Sequence, residues 1–418
     1  MSHARQSPAR LARASWSAWV FAVVLFSDGI FFGAYGALGT TYLGEGPSYK
    51  AYKAVLGLVC VLILIRASVR AWTRHYKVTR RDLVAVAIFS FVACSVAVGV
   101  VRYPGSYAMA RFAWLFLTIA VPSVALGMSM RRRDITLLPH PLIVVSSIST
   151  VFMVVAGARD SGAIAETSAA GVGGASHLAI GASMVVTFAI HLVMLSKAQR
   201  VSWRTLHIAA MLVSVYLIVD SGSRGGLIAV GVCSLAVFFG GGVLRTRPIL
   251  TILFIGSTVA AWRFVSALEV ESVGVAKIQG SLGQDEARTY LYTQAWDQFL
   301  EHPIFGSGVG SFSARLDYFI YPHNLILELI VDFGIFGALA LVWGAIWSTR
   351  ALRRGFSSNE LGGAMLGGIF TVILASLMFS GSYLTVGNLW LVGIALRLIG
   401  DREVNVNDIS HTGAKVGP

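Results

Sequence analysis

Cysteine and charge are both scarce in this chain of 418 residues. Its three cysteines, Cys60, Cys94 and Cys233, all fall in apolar runs and lack the spacing of metal ligands, so the sequence supports neither a disulfide framework nor a zinc site. Charged residues make up only 13% of the chain, against 56% hydrophobic residues and a mean hydropathy of +0.73. These values exclude a soluble protein and are typical of a polytopic membrane protein.

Acidic residues are fewer than basic ones, with 20 Asp and Glu against 33 Lys and Arg, which gives a formal net charge of +13. Such an excess can indicate nucleic-acid binding. Here, however, most of the basic residues fall in alternate segments between apolar runs, starting with the N-terminal segment, as the positive-inside rule requires. We therefore expect membrane lipids rather than nucleic acid as partners of these cations, and we place both termini in the cytoplasm.

Apolar runs of the length needed to cross a bilayer, about 20 residues in a helix, recur through the whole chain. They predict twelve spans, at about 15–32, 51–66, 83–101, 111–130, 141–157, 177–196, 205–219, 226–243, 248–266, 323–348, 361–380 and 384–400. The predicted fold class is therefore an all-α polytopic membrane protein, a single integral membrane domain over residues 1–418 with a cytoplasmic tail at 401–418. The apolar run near the N-terminus is long and has no convincing cleavage site, which favours a retained first span over a signal peptide.

The long segment 267–322 separates two of these spans on the predicted outer, periplasmic side. Its helical pattern of apolar residues predicts an amphipathic helix over about 285–301, lying along the membrane surface or capping a cavity. Arg288 falls in the first turn of that helix, where the helix dipole and free N–H groups favour an anion. The simpler interpretation is a solvated arginine paired with Asp285 or Glu286.

The outer connection "DSGSRGG" at 220–226 contains a second candidate residue, Arg224. Its serines and glycines allow a compact turn at the start of the next helix, in which Arg224 is placed to hold a phosphate near the interface. The alternative is an arginine whose side chain reaches the interface and only anchors the helix end.

His323 is the third candidate, at the start of the tenth predicted span. At about 100° per residue, a continuous helix would place it on one face with two glycines, Gly334 and Gly337, and so toward the interior of the bundle. The alternative role is that of a helix cap or a packing residue. Glu328 and Asp332, spaced i,i+4 on another stripe, are predicted to be structural and to need a partner such as Arg263, and a catalytic role is the alternative.

Two arginines and a neutral imidazole on one side of the membrane suit a reaction in which a lipid diphosphate leaves and a hydroxyl attacks, without a catalytic metal. At these stretches the sequence resembles the O-antigen ligase family, within the superfamily of bacterial O-antigen polymerases and ligases. The matching motifs are "SRGG" at 223–226, the Arg288 helix followed by "HPIFGSGVGSF" at 302–312, and "HNLILELIVDFGIFG" at 323–337. The resemblance covers about residues 205–345.

The resemblance implies a C-type glycosyltransferase (GT-C) fold in the inner membrane of a Gram-negative bacterium, with a periplasmic active site. It implies transfer of O-antigen from undecaprenyl diphosphate to a sugar hydroxyl of the lipid A–core. Carried over by motif, Arg224 and Arg288 bind the diphosphate and His323 is the catalytic base. No cofactor is expected, and direct displacement would invert the anomeric centre.

Three other functions fit the sequence less well. An O-antigen polymerase or a protein O-oligosaccharyltransferase would use the same lipid donor with another acceptor. A secondary transporter would use the intramembrane charges Asp28, Arg263, Glu328 and Asp332 as a substrate path. The chain shows no convincing repeat of its two halves, and a long loop helix is not expected of a transporter.

Overall fold

The structure is a computed structural model that describes residues 15–37, 47–73, 79–159, 174–197, 200–221, 223–240, 286–316, 321–357, 360–379 and 381–399. Within these ranges every regular element is helical. The α-helices are α1 (Trp16–Leu25), α2 (Ser27–Ala37), α3 (Pro47–Thr73), α4 (Arg80–Arg102), α5 (Tyr107–Leu115), α6 (Val121–Ser129), α7 (Arg132–Leu137), α8 (Pro139–Arg159), α9 (Gly174–Lys197), α10 (Val201–Asp220), α11 (Arg224–Gly240), α12 (Glu286–Glu301), α13 (Ser311–Arg315), α14 (Leu325–Phe333), α15 (Ile335–Ser357), α16 (Leu361–Leu377) and α17 (Gly387–Ala395). A π-helical turn, Phe116–Ala120, joins α5 to α6, and a 3₁₀ turn, Leu396–Leu398, follows α17.

Among the described residues, six helical segments are long and apolar enough to cross a membrane, or seven if α1 and α2, bent by 63° relative to each other, form one span. Four shorter apolar helices, α8, α11, α16 and α17, add to these. The predicted class of all-helical polytopic membrane protein is therefore confirmed. The ninth predicted span, 248–266, lies outside the described residues, so the number of twelve spans and the GT-C fold stay predictions.

The tenth predicted span is not one continuous helix. α14 ends at Gly334, whose φ of 62° and ψ of −140° break the helix, and α15 begins at the next residue. His323 lies before α14, because Asn324 is the residue that caps it: the Asn324 side chain accepts hydrogen bonds from the N–H groups of Ile326 (2.9 Å) and Leu327 (3.2 Å). The prediction that His323 shares a helix face with Gly334 is therefore wrong.

The glycine-rich segment that follows α12 explains the break. The N–H of Ser307 donates to the carbonyl of Val331 (2.7 Å), and the N–H of Ile335 donates to the carbonyl of Pro303 (2.9 Å). These bonds use backbone groups that a continuous helix would use internally. Gly306, with a φ of 72°, lies so close to α14 that a Cβ there would be 2.5 Å from the backbone of Asp332. The motif "HPIFGSGVGSF" thus sets the end of α14.

α16 is the central helix of the bundle and is buried along most of its length. It packs on α9, α11, α15 and α17. Glycines allow the close approaches: a Cβ on Gly363 would lie 3.5 Å from the Cα of Gly355 in α15, and a Cβ on Gly367 would lie 3.0 Å from the Cα of Leu352. Small residues at such crossings are typical of membrane helices, which gain their packing energy from close contact.

One end of the bundle is closed by a buried arginine, and we call this the clamp end. The guanidinium of Arg397 donates to Asp82 Oδ1 (2.7 Å) and to the carbonyls of Gly127 (2.8 Å), Met128 (2.8 Å) and Ile394 (3.0 Å). These contacts tie the start of α4 and the end of α6 to the end of α17. Arg397 is thus part of the buried core.

Candidate functional site

A cavity of about 510 Å³ opens at the opposite end of α17, between α2, α3, α9, α11, α12 and the α16–α17 turn. We call this the cavity end. Gly387 and Asn388, at the start of α17, line the cavity, while Arg397 lies nine residues further along, about 14 Å away. Every lining residue lies either in a predicted outer connection or in a part of a span that the predicted topology places in the outer half or near the middle of the membrane.

The motif "SRGG" forms one wall of the cavity. Ser223 caps α11, since its side chain accepts a hydrogen bond from the N–H of Gly226 (3.3 Å). The two glycines are required by packing, because a Cβ on Gly225 would lie 2.9 Å from the Cβ of Phe379 and one on Gly226 would lie 3.0 Å from Ile218. Ser223, Gly225 and Gly226 all line the cavity. Arg224 is the first residue of α11, and the position of its side chain is outside what the structure describes.

Arg288 lies on the wall formed by α12. This helix is held by a small apolar cluster in which Leu291 and Ala295 pack against Phe312 of α13 and Val331 of α14. Arg288, in the first turn, is partly exposed and lines the cavity. The alternative pairing with Asp285 or Glu286 involves side chains that the structure leaves undescribed. The cavity therefore has the N-terminal ends of two helices, α11 and α12, and one described arginine on its walls.

His323 is adjacent to the cavity rather than on its wall. The ring centroids of His323 and Tyr321 are 4.3 Å apart, and Tyr321 is the one of the two that lines the cavity. The φ of His323 is 57°, the only positive value among the described residues other than glycine. A left-handed backbone at a residue with a side chain costs free energy, and such residues cluster at functional sites.

Glu328 and Asp332 are buried in α14 beneath the site and have partners that the sequence did not indicate. The hydroxyl of Ser382 donates to Glu328 Oε1, and the hydroxyl of Tyr383 donates to Asp332 Oδ2 (2.7 Å). Trp390 donates through Nε1 to the Tyr383 carbonyl (2.7 Å), which fixes the α16–α17 turn. Arg263, the expected partner, lies in the undescribed part of the chain. The two acids therefore join α14 to the turn that borders the cavity.

Three polar residues that line the cavity, Asp28, Tyr49 and Lys53, were not predicted as site residues. Lys53 and Tyr49 lie at the start of α3 and line it together with Asp28 of α2. Asp28 was noted only as part of a possible transport path. The available signal was Lys53 itself, a cation inside an apolar run, because an ionisable residue in a membrane span usually has a functional or pairing role.

The fold and this cavity define a class: a multi-pass helical membrane protein with a cavity of mixed polar and apolar lining at one end of its bundle. The family model described as O-antigen ligase matches residues 209–342, a segment that runs from α10 into α15 and includes Arg224, Arg288 and His323. The resemblance to this family of glycosyltransferase-like ligases is thereby confirmed. A search of curated proteins found no match.

Proposed function

We propose that this protein is an O-antigen ligase. It transfers a glycan from undecaprenyl diphosphate to a sugar hydroxyl of the lipid A–core, at the periplasmic face of the inner membrane in a Gram-negative bacterium. The observation that carries this proposal is the meeting of two family motifs at one cavity. The N-terminus of α11 and Arg288 of α12 form separate walls, and Tyr321, whose ring packs on that of His323, forms part of a third.

The diphosphate of the donor binds where positive charge gathers. Arg288 and the N-terminal turns of α11 and α12 stabilise phosphate oxygens, and Arg224, as the first residue of α11, adds a second guanidinium. The same groups stabilise the negative charge that grows on the leaving diphosphate. Electrostatic stabilisation of this kind needs no metal ion.

His323 is the base in this proposal. As the acceptor hydroxyl oxygen forms its bond to the anomeric carbon, the hydroxyl proton passes to the imidazole, and the bond from that carbon to the diphosphate oxygen breaks. Undecaprenyl diphosphate leaves with the bonding electron pair. A single displacement of this kind inverts the anomeric centre. The ring of Tyr321, which lines the cavity, packs against His323 and links the base to the space that the acceptor would occupy.

The test is a reconstituted transfer reaction with purified protein, an undecaprenyl-diphosphate-linked glycan and lipid A–core, in EDTA and without nucleotide. Wild-type protein is expected to make a glycosylated lipopolysaccharide with inverted linkage. Folded His323→Ala is expected to lose about 10²–10⁴-fold in rate, as for removal of a general base. Arg353→Ala, a change at an exposed arginine near the far end of α15, serves as the control and keeps the wild-type rate.

Two results would contradict the proposal in different ways. Lengthening of the lipid-linked glycan, with lipid A–core unmodified, would make the protein an O-antigen polymerase that uses the same donor. Absence of any glycosyl transfer, together with movement of the lipid-linked glycan across the bilayer of the vesicle, would favour a transporter.

A further inference from the structure

A second polar group faces the same cavity and has no role in the mechanism above. We call it the Asp28 cluster, and it consists of Asp28, Tyr49 and Lys53. The hydroxyl of Tyr49 donates to Asp28 Oδ1 (3.0 Å), and Lys53 Nζ lies 2.5 Å from the same oxygen and 2.9 Å from Ser27 Oγ. All four of these residues line the cavity.

The bend between α1 and α2 turns Asp28 toward the cavity. The two helices are bent by 63°, and Asn388 donates through its side-chain amide to the carbonyl of Leu25 (3.0 Å), a group at the end of α1. A side chain that takes over a helix carbonyl is a recognised cause of such bends. Asp28 then lies in the first turn of α2, where a negative charge is favourable.

The carboxylate of Asp28 has capacity left for a ligand. The hydrogen bond from the Tyr49 hydroxyl and the short Lys53 contact are both at Oδ1, and no hydrogen bond to Oδ2 occurs among the residues that the structure describes. The Lys53 side chain is only 13% exposed, whereas that of Asp28 is 41% exposed. The more buried Lys53 therefore neutralises the charge of Asp28. The more exposed Asp28 can offer an acceptor oxygen to the cavity without adding net negative charge beside the proposed diphosphate site.

Aromatic rings stand next to this acceptor. Phe32 and Tyr49 both line the cavity, with ring centroids 5.4 Å apart and planes inclined by 25°. Sugar rings present hydroxyl groups at their edges and C–H groups on their faces. A carboxylate and aromatic rings on the wall of one cavity match both features. The ion pair carries no net positive charge, so a phosphate would gain less here than beside Arg288.

We propose that the Asp28 cluster binds a sugar ring of one glycan substrate, with Asp28 Oδ2 accepting a hydrogen bond from a sugar hydroxyl and Phe32 and Tyr49 packing against the ring. This inference rests on the proposed function, because that function brings a glycan into the cavity with the donor or the acceptor. It adds Asp28, Phe32, Tyr49 and Lys53 to the substrate-binding residues. The reaction itself stays as described above.

The test uses purified full-length protein with three changes. Asp28→Asn removes the acceptor charge, and the pair Asp28→Asn with Lys53→Met removes both charges together, so that no unpaired cation destabilises the fold. Asp297→Asn, a change at an exposed carboxyl group of α12 outside the cavity, is the matched control. Initial rates are measured while lipid A–core and the lipid-linked donor are varied separately, and thermal unfolding shows which variants are folded.

We expect Asp28→Asn and the double variant to raise one of the two KM values by about tenfold or more, as for loss of a hydrogen bond to a charged group. A higher KM for lipid A–core assigns the sugar to the acceptor, and a higher KM for the donor assigns it to the first sugar of the donor glycan. Unchanged KM values in both variants, within about twofold, would overturn the proposal, as would an equal effect of Asp297→Asn.

A measurement without turnover separates this proposal from the proposed function. Binding of deacylated core oligosaccharide and of the lipid-free donor glycan is followed by saturation-transfer difference NMR, in wild type, Asp28→Asn and the double variant. If wild type transfers no glycan but binds one of these sugars, and Asp28→Asn does not, the ligase proposal fails and the sugar site stands. If neither sugar binds the wild type, the sugar site fails.

Discussion

The two ends of α17 use buried charge in opposite ways. At the clamp end, the side chains of Arg397 and Asp82 are 5% and 6% exposed, and the guanidinium makes bonds to one carboxylate and three carbonyls. At the cavity end, Asp28 uses one oxygen for two internal bonds and keeps the other toward an open space. Both ends contain an ion pair of one basic and one acidic residue.

This difference separates two kinds of charged residue in a membrane bundle: those that stabilise the fold and those that are available to bind substrate. A charge whose hydrogen-bonding capacity is used by its own chain adds order but has nothing left for a ligand. A charge that retains an acceptor or donor beside a cavity is available for substrate.

Breaking the clamp end should unfold the protein without altering the chemistry of the cavity. Arg397→Ala leaves Asp82 buried without its cation, and removal of one member of a buried pair costs about 3–5 kcal/mol. We expect a large fall in the thermal unfolding temperature in detergent and a low yield of folded protein. Arg353→Ala, at an exposed arginine, is the control. An Arg397→Ala protein as stable as wild type would show that the clamp contributes little to stability.

At the cavity end, loss of a cation should instead reduce activity in a folded protein. We expect Arg288→Ala to lower the rate of transfer by about 10²–10³-fold, as for loss of one donor to a developing negative charge. Arg288→Lys should recover part of the rate, because an ammonium supplies charge without the two-pronged geometry of a guanidinium. Initial rates and unfolding temperatures are measured together. A fall in stability that matches the fall in rate would make Arg288 structural, like Arg397.

Two glycines of α11 provide a matched test of the packing behind the cavity. A Cβ on Gly225 would lie 2.9 Å from the Cβ of Phe379, whereas a Cβ on Gly231 would meet no atom within 4 Å. Gly225→Ala should therefore destabilise the protein by about 1–3 kcal/mol. Gly231→Ala should leave it unchanged or more stable by up to about 1 kcal/mol, since alanine favours the helix. Equal unfolding temperatures for the two variants would contradict the close approach of α11 and the α16–α17 turn.

The backbone of His323 gives the smallest expected effect. The φ of His323 is 57°, a backbone conformation that glycine adopts without strain. His323→Gly should therefore remove about 1 kcal/mol of backbone strain from the folded state, while His323→Ala should not. Both variants lack the imidazole and should be equally slow in transfer. Urea-induced unfolding of the two proteins, compared at the same detergent concentration, measures the difference. A His323→Ala protein more stable than His323→Gly would show that the left-handed backbone is absent in solution.

The sequence was sufficient for the fold class and for the resemblance to the O-antigen ligase family, because both depend on local signals. Long apolar runs mark helices wherever they occur, and "SRGG" and "HNLILELIVDFGIFG" are recognised as short strings. The break at Gly334 was not predicted, since it depends on backbone hydrogen bonds with distant residues: the Pro303 carbonyl accepts one and the Ser307 N–H donates another. The prediction that His323 shares a helix face with Gly334 was wrong for the same reason.

The walls of the site were predicted only in part. Arg288 and Ser223 were found by motif, and the structure places both on one cavity. Asp28 and Lys53 come from two different helices and meet through the bend after α1, which no single stretch of sequence encodes. The partners of Glu328 and Asp332 likewise come from a turn more than fifty residues away.

The central claim is that the cavity end binds a lipid diphosphate through Arg288. The most direct test is equilibrium binding of an undecaprenyl-diphosphate-linked glycan to purified protein in nanodiscs, in EDTA, with wild type, Arg288→Ala and Arg353→Ala compared. We predict that Arg288→Ala raises the Kd by about tenfold or more while Arg353→Ala leaves it unchanged, because a charge-assisted bond to phosphate is lost only in the first. Equal affinity of wild type and a folded Arg288→Ala protein would contradict the account.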